Sequence, residues 1–372
     1  MANVLGLPSR IVSGRGSVKE LAGELKRAGA QGKVLIVCDP GVLKSNGLRA
    51  IAPALESAGL HTQVFSGFES HPQGRHAQEA GWAARSFGAE AVVGVGGGSA
   101  LDVARGAALI ANNDAALTGP SEIAPSGAVL PFVLVPTLPG SGSETAQSAT
   151  YVIDGAKRVF SGQKLVPAAT ILDAELTAMT PPMFVAAGGL SILAVALEAY
   201  VAQGSDGFAD ALALEALARV GRSLKKAATN PRDLDAREDL LTASALVGIA
   251  AQKGQGAALA IAHAAGAIAG TPHGIAIGAA ISAVLAFDKM AAEERLAQAS
   301  VALGGAATAQ GCIDAVDKLR GEAPLPKKLS QAGVQRGSVE KLVELVLADA
   351  AIGKSPRPVG EVDAERMIGE AL

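Results

Sequence analysis

Very little in this sequence could staple the chain or draw it to a polyanion. It has two cysteines, Cys38 and Cys312, set far apart and outside any metal-type spacing. That excludes a disulfide framework and fits a reducing, cytoplasmic setting. Basic residues are not in excess: 32 Lys and Arg face 35 Asp and Glu, a net charge of −3. General electrostatic attraction to nucleic acid is therefore not expected. Only eleven of 372 residues are Phe, Tyr or Trp, and only 18% are charged, yet 49% are apolar. A chain this apolar offsets its ordering entropy, so disorder is excluded, and the length suffices for two domains.

Charge is missing altogether from two stretches, residues 176–197 and 254–287. Runs of that length raise the question of membrane spans. Pro181-Pro182 precedes the core of the first, and Pro272, His263, His273 and several glycines interrupt the second. Both are rich in Ala and Gly and carry no Trp anchors. They are expected to be buried helices of a large core. The opening MANVLGLPSRIVSG lacks a basic region followed by a long apolar stretch, so no signal peptide is expected.

Short apolar runs alternate with helical patterns up to residue 181. Strands are expected at 33–38, 60–66, 91–95, 129–135 and 169–173, and helices at 17–29, 46–58, 75–87 and 100–111. This alternation predicts a mostly parallel sheet with helices on both faces. From Pro182 onward the spacing is helical, with helices expected at 183–203, 207–228, 236–251, 256–268, 275–287, 291–303, 310–320 and 338–349. The expected division is an α/β dinucleotide-binding domain over residues 1–181 and an all-helical domain over 182–372.

Two loops carry the local chemistry. Val93-Gly94-Val95-Gly96-Gly97-Gly98-Ser99 runs from a strand through a glycine turn into the helix that holds Asp102. Such a turn aims backbone N–H groups from the positive end of a helix at a diphosphate. Pro136-Thr137-Leu138-Pro139-Gly140-Ser141-Gly142-Ser143-Glu144 follows the next strand and belongs in the same crevice. Asp39, directly after the 33–38 strand, is placed to accept hydrogen bonds from ribose hydroxyls and to favour NAD over NADP. Each feature also has a plain reading, as a tight βα turn, a polar loop and an Asp-Pro-Gly turn.

GGGSALDVARG, PTLPGSGSE, ATILDAELT with the following Pro-Pro, LEAYVA and H-x-x-G…PHG occur in an order and spacing that resemble the iron-containing (group III) alcohol dehydrogenase family. The resemblance runs from LPSRIVSGRGSVKEL to SPRPV, essentially the whole chain. It implies a Rossmann-like nucleotide domain, a helical domain, and a nicotinamide cofactor in the cleft between them. It places Asp39, Gly97, Gly98, Ser99, Asp102, Thr137, Leu138, Ser143 and Lys157 around NAD(H). His71-Pro72 stands where the family carries Asn-Pro. Family members often dimerise, so a homodimer acting on a small molecule, without nucleic acid or membrane, is expected.

The resemblance also implies four metal ligands, which polarise the substrate oxygen in the family. The first two belong to a pattern like A-x-G-x-D-x-x-x-H-x-x-E-x-Y. Here the Asp position is Ser191 and the His position is Val195. The third ligand position is Leu259, and only the fourth, His273, keeps a donor. Val and Leu have no donor atom and Ser is a poor ligand, so no catalytic metal is expected. His263 and His273 become the candidate catalytic residues, with Lys253, Gln255 and Tyr151 weaker. The expected function is metal-independent, NAD(H)-dependent reduction of an aldehyde or oxo-acid, as in the maleylacetate reductase branch. A non-redox lyase or cyclase, of the kind dehydroquinate-synthase-like relatives exemplify, and a nucleotide-binding pseudoenzyme are the alternatives.

Overall fold

The computed structural model describes residues 4–44, 46–113, 127–204 and 206–372. Its strands are β1 (Arg10–Ser13), β2 (Lys33–Cys38), β3 (His61–Phe65), β4 (Ala91–Gly96), β5 (Phe132–Pro136), β6 (Ser148–Ile153), β7 (Ala156–Ser161) and β8 (Ala169–Leu172). Six of them form one parallel sheet in the order β1-β8-β5-β4-β2-β3. β6 and β7 form a separate antiparallel hairpin. Along β2, Val34, Ile36 and Cys38 pack on one side of the sheet, and Leu35 and Val37 on the other. That period of two, apolar on both faces, is why the strand reads as a continuous hydrophobic run. The chain reverses direction across the sheet between β2 and β4, which opens a crevice at their carboxyl ends.

Several features depart from the sequence expectations. β1 and the β6–β7 hairpin were not expected. The strand expected at 129–135 begins only at Phe132, after Pro131, which has no N–H for the ladder. The helix expected at 17–29 is a 3₁₀ turn, Ser17–Glu20, followed by the α-helix Leu21–Arg27.

Beyond β8 the described residues form helices. Pro182–Val201, Ala257–Ala269 and His273–Asp288 are the helices of the two uncharged stretches, and they share one hydrophobic core. Pro182–Val201 is long and apolar enough to cross a membrane, but it is almost wholly buried within the protein. A last helix, Glu361–Ala371, was not expected, yet it packs Ala364, Met367 and Ile368 into the same core. The fold is thus a Rossmann-like parallel sheet joined to a helical domain.

Two glycines bring the halves together by letting backbones touch. A Cβ on Gly188 would overlap the Pro139 carbonyl, and one on Gly248 would overlap the Gly142 carbonyl and the Thr145 hydroxyl. The loop after β5 is therefore seated directly on two helices. Gly248→Ala is expected to cost about 3 kcal/mol or more, because backbone cannot step aside as a flexible side chain can. Gly207→Ala, at an open helix start, serves as the neutral control. Urea unfolding of both variants checks this, and a wild-type midpoint for Gly248→Ala would overturn it.

The helical core also holds buried carboxyls. Burial, with Glu198 nearby and Arg357 opposing, pushes Asp288 up to about 8. Burial raises Glu198 to about 7, although the N–H groups of Ala258 and Leu259 bond its carboxylate. The folded chain keeps the Asp288 proton after the unfolded chain has released its own. Asp288 therefore destabilises the fold progressively from about pH 4 to about pH 8, and by a constant amount above that. The stability of Asp288→Asn relative to wild type should rise across that window and then level off. Denaturant titrations at several pH values test this, and a pH-independent difference would contradict it.

Candidate active site

The crevice is built from the end of β2 and the turn after β4. Asp39 follows β2, and its Oδ2 accepts the Gly97 N–H at 2.8 Å. Burial raises its carboxyl and the Gly97 N–H draws it back down. Gly96 has φ 148°, where a side chain is strained, and a Cβ there would overlap the Asp39 carboxylate. Gly97 precedes the first turn of the Gly98–Ile110 helix, with Gly97 and Ser99 half-buried and Gly98 exposed. The helix start is thus open toward the crevice, and its N–H groups fit a diphosphate.

Asp102, one turn further on, faces inward. Its carboxylate accepts Ser143 Oγ at 2.7 Å, the Thr150 N–H at 3.1 Å and Arg105 Nη1 at 3.3 Å. Arg105, fully buried, also donates to Ser143 Oγ at 3.0 Å, the Ala146 carbonyl at 2.9 Å, the Leu165 carbonyl at 2.9 Å and the Ser143 carbonyl. Tyr151 donates to the Asp102 carbonyl. Asp102, Ser143 and Tyr151 are thereby tied into a network that holds the two loops together. Thr137 donates its N–H to the Gly96 carbonyl at 3.0 Å, and Leu138 lies against the Gly97 turn. Lys253 is committed elsewhere, to Asp210 and the Tyr200 carbonyl.

The hairpin carries Lys157 to the far end of the crevice. There a Cβ on Gly266 would stand 3.1 Å from His71 Cε1 and 3.2 Å from Lys157 Nζ. Burial lowers Lys157 to about 8, with Asp102 and Asp349 pulling it back up. On the Ala257–Ala269 helix, His263 is buried and its Nδ1 lies 2.7 Å from Asp349 Oδ2. Its ring centroid is 6.1 Å from that of His273, the first residue of the next helix. His273 Nε2 is buried without a hydrogen-bond partner. Burial, then Lys157, His263 and His71, hold His273 well below the usual imidazole range. Burial also lowers His263, against the pull of Asp349. Burial alone would raise Asp349, but its bond to His263 and the Ala351 N–H bring it below its ordinary value.

The structure thus gathers Asp39, Gly97, Gly98, Ser99, Thr137, Leu138 and Ser143 at one end of the crevice and Lys157, His263 and His273 at the other. Three contributors escaped the sequence reading: Arg105, Asp349 and the reach of His71 across to the helical half. No local motif marks them, because Asp349 lies 86 residues from His263 and Arg105 lies 38 from Ser143.

At the positions that the resemblance assigns to metal ligands, Val195 is fully buried and Leu259 packs on the helical core. Ser191 Oγ is buried without a hydrogen-bond partner. These side chains and His273 do not make up a metal's donor set. Among the described residues, no group of three or more His, Cys, Asp or Glu is placed to hold a metal ion.

Residues 8–174 match the family described as iron-containing alcohol dehydrogenase, and residues 185–372 match the family's C-terminal domain. The chain is 31% identical to the NAD-dependent methanol dehydrogenase of Bacillus methanolicus, over 98% of this chain and 99% of that one. It is 30% identical to the 4-hydroxybutyrate dehydrogenase of Cupriavidus necator, over 96% of each. The fold matches a crystal structure of a 1,3-propanediol oxidoreductase with TM-score 0.95 over the whole of both chains, at 24% identity. Two matched domains and relatives aligned along nearly the full length leave one conclusion: the chain belongs to the iron-containing alcohol dehydrogenase family, oxidoreductases of alcohol and carbonyl substrates.

Proposed function

We propose that this protein is an NAD(H)-dependent oxidoreductase that interconverts an alcohol with an aldehyde or oxo-acid and works without a catalytic metal. The observation that carries the metal-free reading is the set of residues at the family's ligand positions, Ser191, Val195, Leu259 and His273, beside two complete nucleotide loops. NADH, when bound, supplies the hydride that reaches the carbonyl carbon. Asp39 and the N–H groups at the start of the Gly98–Ile110 helix orient the ribose and diphosphate, and the Arg105 network keeps the second loop in register. Residues 1–181 serve as the nucleotide half and 182–372 as the half that supplies the acid.

In the reductive direction the carbonyl oxygen gains a proton as the carbon gains the hydride. His263 and His273, 6.1 Å apart between ring centroids at the helical end of the crevice, are the groups assigned to that oxygen. With Asp349 accepting from His263 Nδ1–H, Nε2 of the neutral ring is an acceptor, and it gives a proton to the substrate oxygen only from the imidazolium form. Placing a hydrogen-bond donor where the alkoxide develops does without a Lewis acid the work a metal does in relatives. The name of the 4-hydroxybutyrate dehydrogenase relative supports a substrate with an oxo-acid product or partner.

Chelator treatment followed by assay of NADH oxidation with a panel of aldehydes and oxo-acids tests the proposal. Activity should survive unchanged, whereas loss on chelation and recovery with iron or zinc would overturn the metal-free reading. Unchanged nicotinamide during turnover of another reaction would point to a lyase or cyclase. His263→Ala and His273→Ala should together lower kcat by about 10²- to 10⁴-fold, the usual worth of a positioned acid. Wild-type kcat in both variants would remove the histidines from the mechanism.

A further inference from the structure

His71 is held in a conformation that ordinary side chains avoid. Its φ is 57°, and the residue after it is Pro72. The hairpin pins the chain directly after it: Val152 donates to the Pro72 carbonyl at 2.9 Å, and Gln73 bridges to Val152. A non-glycine residue kept in the left-handed region is a mark of a constrained, functional position. The effect here is to turn the imidazole out of the nucleotide half and against Gly266, with the backbone of Gly270 and Thr271 beside it.

At that point three nitrogen-bearing groups converge, with the backbone of Gly270 and Thr271 hydrogen-bonded to the His71 ring. His71 Nε2 and His273 Nε2 are both buried and unpartnered. Lys157 Nζ, which stands over the same face of Gly266, has no hydrogen-bond acceptor. Of the two carboxylates that act on Lys157, Asp102 is engaged by Ser143, the Thr150 N–H and Arg105, and Asp349 by His263 and the Ala351 N–H. Gly266 makes room: any side chain there would occupy the space into which His71 and Lys157 reach. A buried ammonium beside two imidazole Nε2 atoms without a hydrogen-bond partner constitutes a site for an anion.

We propose that His71, Lys157 and His273 form a carboxylate-binding pocket, so that the substrate is an oxo-acid held by its acid group and not a neutral aldehyde. This rests on the oxidoreductase reading for the identity of the substrate, but the pocket itself does not. Lys157 has three N–H donors, enough to serve a cofactor hydroxyl and a carboxylate oxygen together. The pocket lies beside His263, so a short oxo-acid anchored there brings its carbonyl to the acid-bearing end of the crevice.

The test has two arms. In the first, NADH oxidation is measured with short-chain oxo-acids and with their methyl esters, which differ only in charge. In the second, glutarate is titrated calorimetrically into the enzyme with and without saturating NADH. Wild type should prefer acid to ester and bind glutarate. His71→Asn and, separately, Lys157→Met should lower both the acid-to-ester ratio and the glutarate affinity by about tenfold or more. Equal use of acid and ester with no glutarate binding would overturn the pocket and leave the redox reading standing. Glutarate binding weakened by the variants, in a protein that oxidises NADH with no carbonyl, would sink the redox reading and keep the pocket. Glutarate binding unchanged in both variants would overturn the pocket.

Discussion

A single buried cation organises the nucleotide half. Arg105 sits one turn below Asp102 on the helix that opens with the glycine turn, and it reaches Asp102, Ser143, Ala146 and Leu165. Its planar fork of donors suits this combination of carboxylate, hydroxyl and carbonyl acceptors in a way that an ammonium would not. A buried charge is stable only when paired and fully hydrogen-bonded, so the three chain segments must arrive together or not at all. The position of the second loop, the seating of the hairpin through Tyr151, and thereby the placement of Lys157 all follow from this one constraint.

Much of the fold was legible because its signals are local. The glycine turn after β4, Asp39 after β2 and the apolar runs of the central strands each declare themselves within a few residues. The elements that the sequence does not reveal are hidden for identifiable reasons. β1 is only four residues long and largely exposed at a sheet edge, so it has little hydrophobic pattern to show. The hairpin did carry a signal: Asp154-Gly155 lies between SATYVI and AKRVFS, and both turn residues take positive φ, as a tight hairpin requires. Arg105, Asp349 and the reach of His71 had no signal of their own. Their meaning comes from partners far away in the chain.

The crevice also accounts for the two uncharged stretches. The helices they form meet at the positions that the family resemblance assigns to metal ligands, and there Val195 and Leu259 join the hydrophobic core. What replaces polarity at that wall comes from elsewhere: Lys157 from the hairpin and His71 from the loop after β3. The nitrogen groups gathered there bear on which substrates the crevice admits.

The bond between His263 and Asp349 has a consequence for the order in which the protein is made. Synthesis runs from the amino end, and the parallel sheet with both nucleotide loops is complete by Leu172. The carboxylate that sets the imidazole emerges only after most of the helical half has been made. A nascent chain is therefore able to assemble the crevice of the sheet early while the pairing of His263 with Asp349 is still to form. The two ends of the crevice are separated in time by the synthesis of the helical half.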